Sequence, residues 1–429
     1  MIKIKAFKAI VYNQEKVGDL KQVVCPPYDV ISPAAQEAFG QRSLHNFIHI
    51  LLAKDSPVDD KYRRSGVIFR QWLKDGILIQ DERPAVYFYS QQYIIRGEKK
   101  TRLGFIALLR LADEKSSPVY AHENTHSAAK QDRFKLIKQV KANLSPIFIV
   151  FQDKKRIIQR IFQKQIPSQK TFIEVVDGEK TVHKLWQITD PVILKSIESG
   201  TTDENMFIAD GHHRYEVACA YRDLMKEKLL DQFTGDEDFN YCLAYFTNTD
   251  PRGLSILPIH RLLRLETRLD LADFIAQAKE YFDVDQIKDR VRFMFLMEKA
   301  GCTEHLIGVY KDRKYYLLRL KNVRILDKII ADKPKEYRAL DVAILNYLVL
   351  KNILKLDLAN LGDIKYSPDA LEFMEQVDQD PLSIAFFLNP VKIEQIINVA
   401  LGGNKMPPKS TYFYPKVLSG LVVNKLEKA

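Results

Sequence analysis

The stretch Met206-Phe-Ile-Ala-Asp-Gly-His-His-Arg-Tyr215 decides how this chain is read. Phe207, Ile208 and Ala209 form a short apolar run, the pattern of a buried strand. Asp210-Gly211 is a turn signal, because glycine reaches backbone angles that other residues avoid. Beyond it Val217, Tyr221, Leu224 and Met225 recur on one face of a helical period. The predicted unit is therefore strand, tight turn, helix. It crowds Asp210, Gly211, His212, His213 and Arg214 onto a helix N-terminus, where free N–H groups and the positive end of the dipole favour an anion. Arg214 adds a planar fork that matches phosphate. The plainer alternative is that Asp210 only caps the helix and the histidines face solvent.

Working outward, Val23-Val-Cys-Pro-Pro-Tyr-Asp-Val-Ile-Ser-Pro33 reads as a short strand halted by two prolines. Tyr28 and Asp29 are then presented on a stiff loop, and Ser32-Pro33 opens a helix. A helix is predicted near 60–75. Strands follow at 85–95 and 101–111, joined by the polar turn Arg96-Gly-Glu-Lys-Lys. A loop then carries His122, Glu123 and His126 ahead of a helix at about 130–143 and a buried strand at 146–151. Two histidines near a glutamate suggest a metal site, but the spacing is not His-Glu-x-x-His, and the metal is left unknown. A basic helix and a hairpin (172–176 and 181–188) lead to a helix from Asp190. After the central stretch come strands at 241–250 and 254–260, with His260 and Arg261 read as a surface strand end.

From about Arg264 the pattern changes. It reads as helix 271–281, strand 291–297, hairpin 305–310 and 314–320, and helices near 341–354, 370–378 and 391–401. The closing motif, Met406-Pro-Pro-Lys-Ser-Thr-Tyr-Phe-Tyr-Pro-Lys416, is irregular and polar. Its Lys409 and Ser410 are candidates, with Tyr28, Asp29 and His122, to line a cleft. The expected organisation is α+β: an N-terminal α/β region over 1–117, a core over 118–264 with an insertion at 152–205, and a C-terminal α+β domain over 265–429.

A chain of 429 residues suits two or three domains. Its 65 basic and 55 acidic residues leave a formal charge of +10, mild for this length. That suits anionic small molecules and does not demand nucleic acid. Cys25, Cys219, Cys242 and Cys302 form no Cys-x-x-Cys pair, and scattered cysteines fit a reducing cytoplasm. The N-terminus lacks the apolar core of a signal peptide, and no apolar run is long enough for a membrane span. A cytoplasmic protein without a membrane partner is expected, with no oligomeric state indicated.

Cys25-Pro-Pro-Tyr-Asp-Val-Ile, His122-Glu-Asn-Thr, Ala142-Asn-Leu-Ser-Pro-Ile-Phe, Ala209-Asp-Gly-His-His-Arg-Tyr-Glu and the closing motif resemble a large prokaryotic family of uncharacterised proteins carrying a domain of unknown function. More distantly, residues 118–225 resemble the ParB/sulfiredoxin superfamily, which includes ParB, sulfiredoxin and free serine kinases. That resemblance implies a ParB/sulfiredoxin-like core in which Glu123 is the loop acid of the kinases. It implies that Gly211, His212, His213 and Arg214 bind nucleotide phosphates. The chain departs from it in residues 152–205, where smaller members have a short connection. The turn also lacks a sulfiredoxin cysteine, and no helix-turn-helix is evident.

The function expected is a nucleotide-dependent phosphotransferase acting on a small hydroxyl compound. Phosphoryl transfer needs cations and N–H donors around the phosphates and an acceptor for the hydroxyl proton. The catalytic assignments are Glu123, Asp210 and His213; ATP or ADP with Mg²⁺ is the inferred cofactor set, with Asp210 a candidate contact to the ion. Glu123 is expected to face the 210–214 turn, and the two proline-rich motifs to border the same cleft. The alternatives are a ParB-type nucleotide-binding regulator with slow or no hydrolysis, and a nucleic-acid-binding protein.

Overall fold

The computed structural model describes residues 1–112, 118–300, 303–358 and 362–426, so Cys302 lies outside the described residues. The fold is α+β. By internal contacts the chain divides into two compact units. One comprises Met1–Ala121, Thr125–Ser255 and Pro415–Ala429; the other comprises His122–Asn124 and Ile256–Tyr414.

The first unit is built on a nine-stranded mixed sheet. Its strand order is Val119–Ala121, Met206–Asp210, Ile147–Phe151, Tyr241–Asn248, Glu98–Arg110, Val86–Ile95, Val182–Ile188 and Ile173–Val176, with Ile4–Lys5 pairing beside Glu98–Arg110. The N-terminal region and the 118–264 core expected from sequence thus share one sheet, and the 152–205 segment supplies two of its strands. Two pairings are parallel, Met206–Asp210 with Val119–Ala121 and Tyr241–Asn248 with Ile147–Phe151; the others are antiparallel. The long hairpin turns on Arg96 and Gly97 alone, both at positive φ (52° and 78°), which matches the right-handed twist of the strands it joins. The second strand therefore starts at Glu98, three residues before the polar run suggested.

Alternate side chains of the central strands, among them Phe88, Phe105, Ala107, Phe246, Ile149 and Ile208, bury one face with Ile157, Ile161 and Ile197 of the helices Ile157–Lys164 and Pro191–Thr201. The helices Ser127–Val140 and His212–Leu229 meet around Ile137, Val217, Tyr221 and Phe239. The helical period read from Val217 and Tyr221 is therefore the buried face. Ser127–Val140 is shifted toward the N-terminus of its predicted range, because Lys141 turns left-handed (φ 56°) and Ala142–Asn143 becomes a strand. That strand pairs with Asn424–Lys425, so part of the C-terminal region expected as a separate domain belongs to this unit.

The second unit holds a six-stranded antiparallel sheet ordered Phe282–Ile287, Lys314–Leu320, Leu306–Lys311, Ser383–Phe387, His260–Arg264 and Asp363–Ser367. One expectation is corrected here. The segment 291–297 is not a strand but part of the helix Arg290–Ala300. Phe293 and Met297, four apart, pack into the core with Leu306, Phe373 and Phe387. A second correction concerns His260 and Arg261. The predicted 254–260 strand breaks at Pro258, and His260 opens the strand His260–Arg264 with 5% of its surface exposed and Arg261 with 2%. Neither is a surface strand end.

Burial of His260, reinforced by Arg261 and opposed by Asp369, pushes its pKa down to about 3. Its Nδ1 accepts the Leu388 N–H at 3.3 Å, which requires the neutral ring. The unfolded chain binds a proton below about pH 6.5 while the folded imidazole does not, so acidification through this window favours unfolding. At about pH 4.5 the loss from this group is on the order of 2–3 kcal/mol relative to neutral pH. His260→Gln retains an acceptor but does not titrate. Urea unfolding followed from pH 7 to 4.5 should show a smaller loss of stability in the variant by about that amount; parallel pH profiles would refute the assignment.

Candidate functional site

The strand Met206–Asp210 ends at Gly211, whose φ of 89° lies in the left-handed region where glycine is favoured. The helix His212–Leu229 begins immediately, and its N-cap, Gly211, has no side chain with which to cap it. The positive end of the helix dipole therefore lies at this turn. A Cβ at Gly211 would meet the Arg214 guanidinium at 3.0 Å, so the glycine also makes room for that fork.

Asp210 does not cap the first helical turn. Its Oδ1 accepts the Gly211 N–H at 2.9 Å, and its Oδ2 lies 3.1 Å from Lys416 Nζ and 3.8 Å from Arg214 Nη2. Burial would raise the Asp210 pKa. Lys416 first, then Arg214, with a smaller contribution from His212, outweigh burial and hold the carboxyl well below the usual range. Asp210 is thus a charged counter-ion. With Gly211 N–H on one oxygen and two cations about the other, its donor set does not fit a Mg²⁺ ligand, which would have to displace them. Among the described residues, no group of three or more His, Cys, Asp or Glu side chains is arranged to hold a metal ion.

Arg214 donates through Nη1 to the Pro146 carbonyl, while its buried Nε has no hydrogen-bond partner among the described residues. Beside it is a cavity of ≈ 50 Å³ lined by Tyr28, Arg133, Ser145, Arg214 and Cys242, among others. That is room for one or two water-sized groups (a water occupies about 30 Å³). The Tyr28 hydroxyl is pushed up to about 12 by burial and by Asp29, against the pull of Arg214 and Arg133. Arg133 stacks on the Tyr28 ring at 4.3 Å and donates to the Leu51 carbonyl at 2.6 Å and to Asp132. Asp29, by contrast, is exposed.

The two histidines of the turn differ. His212 is buried at 6% exposure. His213 Nε2 accepts the His126 N–H at 2.9 Å, and the two rings stack 6.1 Å apart. One turn on, Glu216 accepts from Thr125 Oγ1 at 2.6 Å and Lys130 Nζ at 3.0 Å, tying the 127–140 helix to this one.

The remaining candidates, His122, Glu123, Lys409 and Ser410, belong to the second unit. Glu123 Oε1 accepts the Lys409 N–H, His122 Nε2 lies 3.3 Å from Thr411 Oγ1, and Ser410 Oγ donates to the Pro407 carbonyl at 2.6 Å. Lys409 sits at φ 57°, a strained angle for a side-chain-bearing residue, and its carbonyl accepts from Arg261 Nη2 at 2.9 Å.

Sequence reasoning names the closing motif that carries Lys416, but not the partner that lysine meets, and it does not single out Arg133. Lys416 closes the second proline-rich motif, but no local signal marks it, because the partner it meets is 206 positions away. Gln91 holds the Lys416 carbonyl at 2.9 Å, and Arg102 donates to the Pro415 carbonyl and to Gln91 Oε1. Arg133 carries no local signal, and its burial at 7% exposure, with its stacking on Tyr28, emerges only from the fold.

No helix among the described residues is long and apolar enough to cross a membrane. No curated protein matches the chain. Among solved structures, SbnI with a C-terminal truncation from Staphylococcus aureus is similar at 10% identity, with 73% of this chain and 85% of that one covered and a TM-score of 0.37. A free serine kinase variant in complex with AMP is similar at 11% identity, covering 69% and 84%, with a TM-score of 0.34. A conserved hypothetical protein from Pyrococcus furiosus shows 11% identity, coverage of 69% and 87%, and a TM-score of 0.32. The model of the family described as Protein of unknown function (DUF1015) matches residues 4–343, well over half of the sequence, and the chain belongs to that family.

Proposed function

We propose that the protein is a nucleotide-dependent phosphotransferase whose Gly211–Arg214 turn holds nucleotide phosphate and whose acceptor is a small hydroxyl compound. The observation that carries this reading is Arg214: a guanidinium fixed by the Pro146 carbonyl, with a buried Nε lacking a partner among the described residues, at the start of the helix His212–Leu229. A phosphate oxygen satisfies that N–H and is favoured by the positive end of the helix dipole. The cavity of ≈ 50 Å³ next to Arg214 suits a group of phosphoryl size, not a whole nucleotide, so the nucleoside would lie outside it.

In this reading Lys416 and Arg214 keep Asp210 ionised, and the carboxylate fixes the two cations in place of binding the ligand. His213 accepts the His126 N–H at Nε2, so its neutral ring carries the proton on Nδ1. The proton of the acceptor hydroxyl passes to Glu123, a role assigned by the family resemblance of its loop. The bond formed joins the acceptor oxygen to the transferred phosphorus, and the bond broken releases the shortened nucleotide. ATP or ADP would serve as donor. With Asp210 engaged by its two cations, a Mg²⁺ accompanying the nucleotide would be held by the phosphates themselves.

Arg214→Ala should weaken ADP binding by on the order of 2–3 kcal/mol, since a charge-assisted contact is lost. Calorimetric titration measures this, with far-UV dichroism to verify that loss of the Pro146 contact has not unfolded the chain. A wild-type protein that binds neither ATP nor ADP, with or without divalent ions, would end the phosphotransferase reading.

Glu123→Gln separates binding from turnover. It should leave nucleotide affinity nearly unchanged and lower product formation by roughly 100-fold, because the amide cannot take the proton. Product is assayed across a pool of small alcohols and amino acids. Unchanged turnover in the variant would remove Glu123 from the proton path. Nucleotide binding by the wild type with no product from any acceptor would identify a regulator that has no acceptor to deprotonate.

A further inference from the structure

The second unit contains a cavity of ≈ 250 Å³ whose wall includes Arg261, His305, Asp341, Asn389, Lys392 and Ser410. None of these residues belongs to the Gly211 turn. Arg261 extends from the strand His260–Arg264 with only 2% of its surface exposed. Its guanidinium donates to the carbonyls of Ile259 and Lys409 and lies 5.4 Å over the Tyr366 ring. Among the described residues it makes no ion pair. Glu123 acts on it only at longer range, and burial lowers its pKa to about 10, so it stays cationic at neutral pH. A buried cation held by carbonyls but lacking a counter-ion is costly unless an anion joins it.

The carboxylates on the wall are already engaged. Asp341 Oδ1 lies 2.8 Å from His305 Nδ1, and Glu304 accepts from Arg319. Lys392, exposed at the rim, adds a second cation, which also acts on Asp341. Arg261 is therefore the buried cation of the wall that has no ion pair among the described residues. With Nδ1 of His305 turned to Asp341, its Nε2 is the ring atom left to accept a hydroxyl proton.

We propose that this cavity binds a small hydroxycarboxylate, its carboxylate paired with Arg261 and Lys392 and its hydroxyl donating to His305. A volume of ≈ 250 Å³ holds roughly eight waters at about 30 Å³ each, which suits an acid of three or four carbons. The site shares no residue with the 210–214 turn, although Lys409 links Arg261 to Glu123 through its carbonyl and N–H.

The test is calorimetric titration of the full chain with glycerate and lactate, against lactamide and inorganic phosphate as controls. Glycerate should bind and lactamide should not. Lys392→Gln, at an exposed position, should weaken glycerate binding about tenfold, as loss of one charge-assisted hydrogen bond would. Arg261→Gln should abolish it; if that variant fails to fold, Lys392→Gln and His305→Phe carry the test. Arg214→Ala should leave glycerate binding unchanged, which separates this site from the nucleotide site. The proposal is overturned by the absence of glycerate binding, by equal binding of glycerate and lactamide, by wild-type affinity in both Lys392→Gln and His305→Phe, or by binding of phosphate only.

Discussion

A carboxylate buried at the end of a strand must be compensated, and at Asp210 that demand organises the first unit. The strand Met206–Asp210 delivers the charge, and the helix start after Gly211 delivers Arg214 on the same side. Two cations rather than one lie about a single oxygen, Lys416 at 3.1 Å and Arg214 at 3.8 Å. In a low-dielectric setting that arrangement holds the carboxylate firmly ionised. The cluster is rigid because each member is held elsewhere: Arg214 by Pro146, Lys416 through its carbonyl by Gln91. Preorganised donors of this kind stabilise charge without having to rearrange when it arrives.

Much of this was legible in the sequence. The Asp-Gly-His-His-Arg run announced its strand, turn and helix because glycine and helical periodicity are local signals. The 182–188 hairpin partner and the 271–281 helix could be read for the same reason. Segment 291–297 could not. Its valine, phenylalanines and methionine suit a strand by composition, and only the packing of Phe293 and Met297 against Leu306 and Phe387 selects the helix. His260 and Arg261 were misread because a strand end beside proline looks exposed until the neighbouring strand Ser383–Phe387 is known to cover it.

The site divides along the same line. Residues grouped by sequence proximity, Asp210 to Arg214, were found together. Those supplied by the fold, Lys416, Arg133 and the Pro146 carbonyl, carry no local mark. Polar residues near proline-rich segments were attractive candidates, yet the structure sorts them by unit: Tyr28 lies under Arg133, while Lys409 serves through its backbone, giving its N–H to Glu123 and its carbonyl to Arg261. A lysine chosen for its ammonium turns out to matter for its peptide groups.

The discontinuity of the first unit has a consequence for biosynthesis. Asn143 waits for Asn424, Cys25 for Ser419, and Asp210 for Lys416. Each closure spans two hundred residues or more, so none can form while the intervening second unit is still being made on the ribosome. Until then Asp210 has Arg214 without Lys416, and the 142–143 segment presents an open edge. Chain elongation, and not collapse of the N-terminal half, therefore sets the earliest moment at which the complete Asp210 cluster exists.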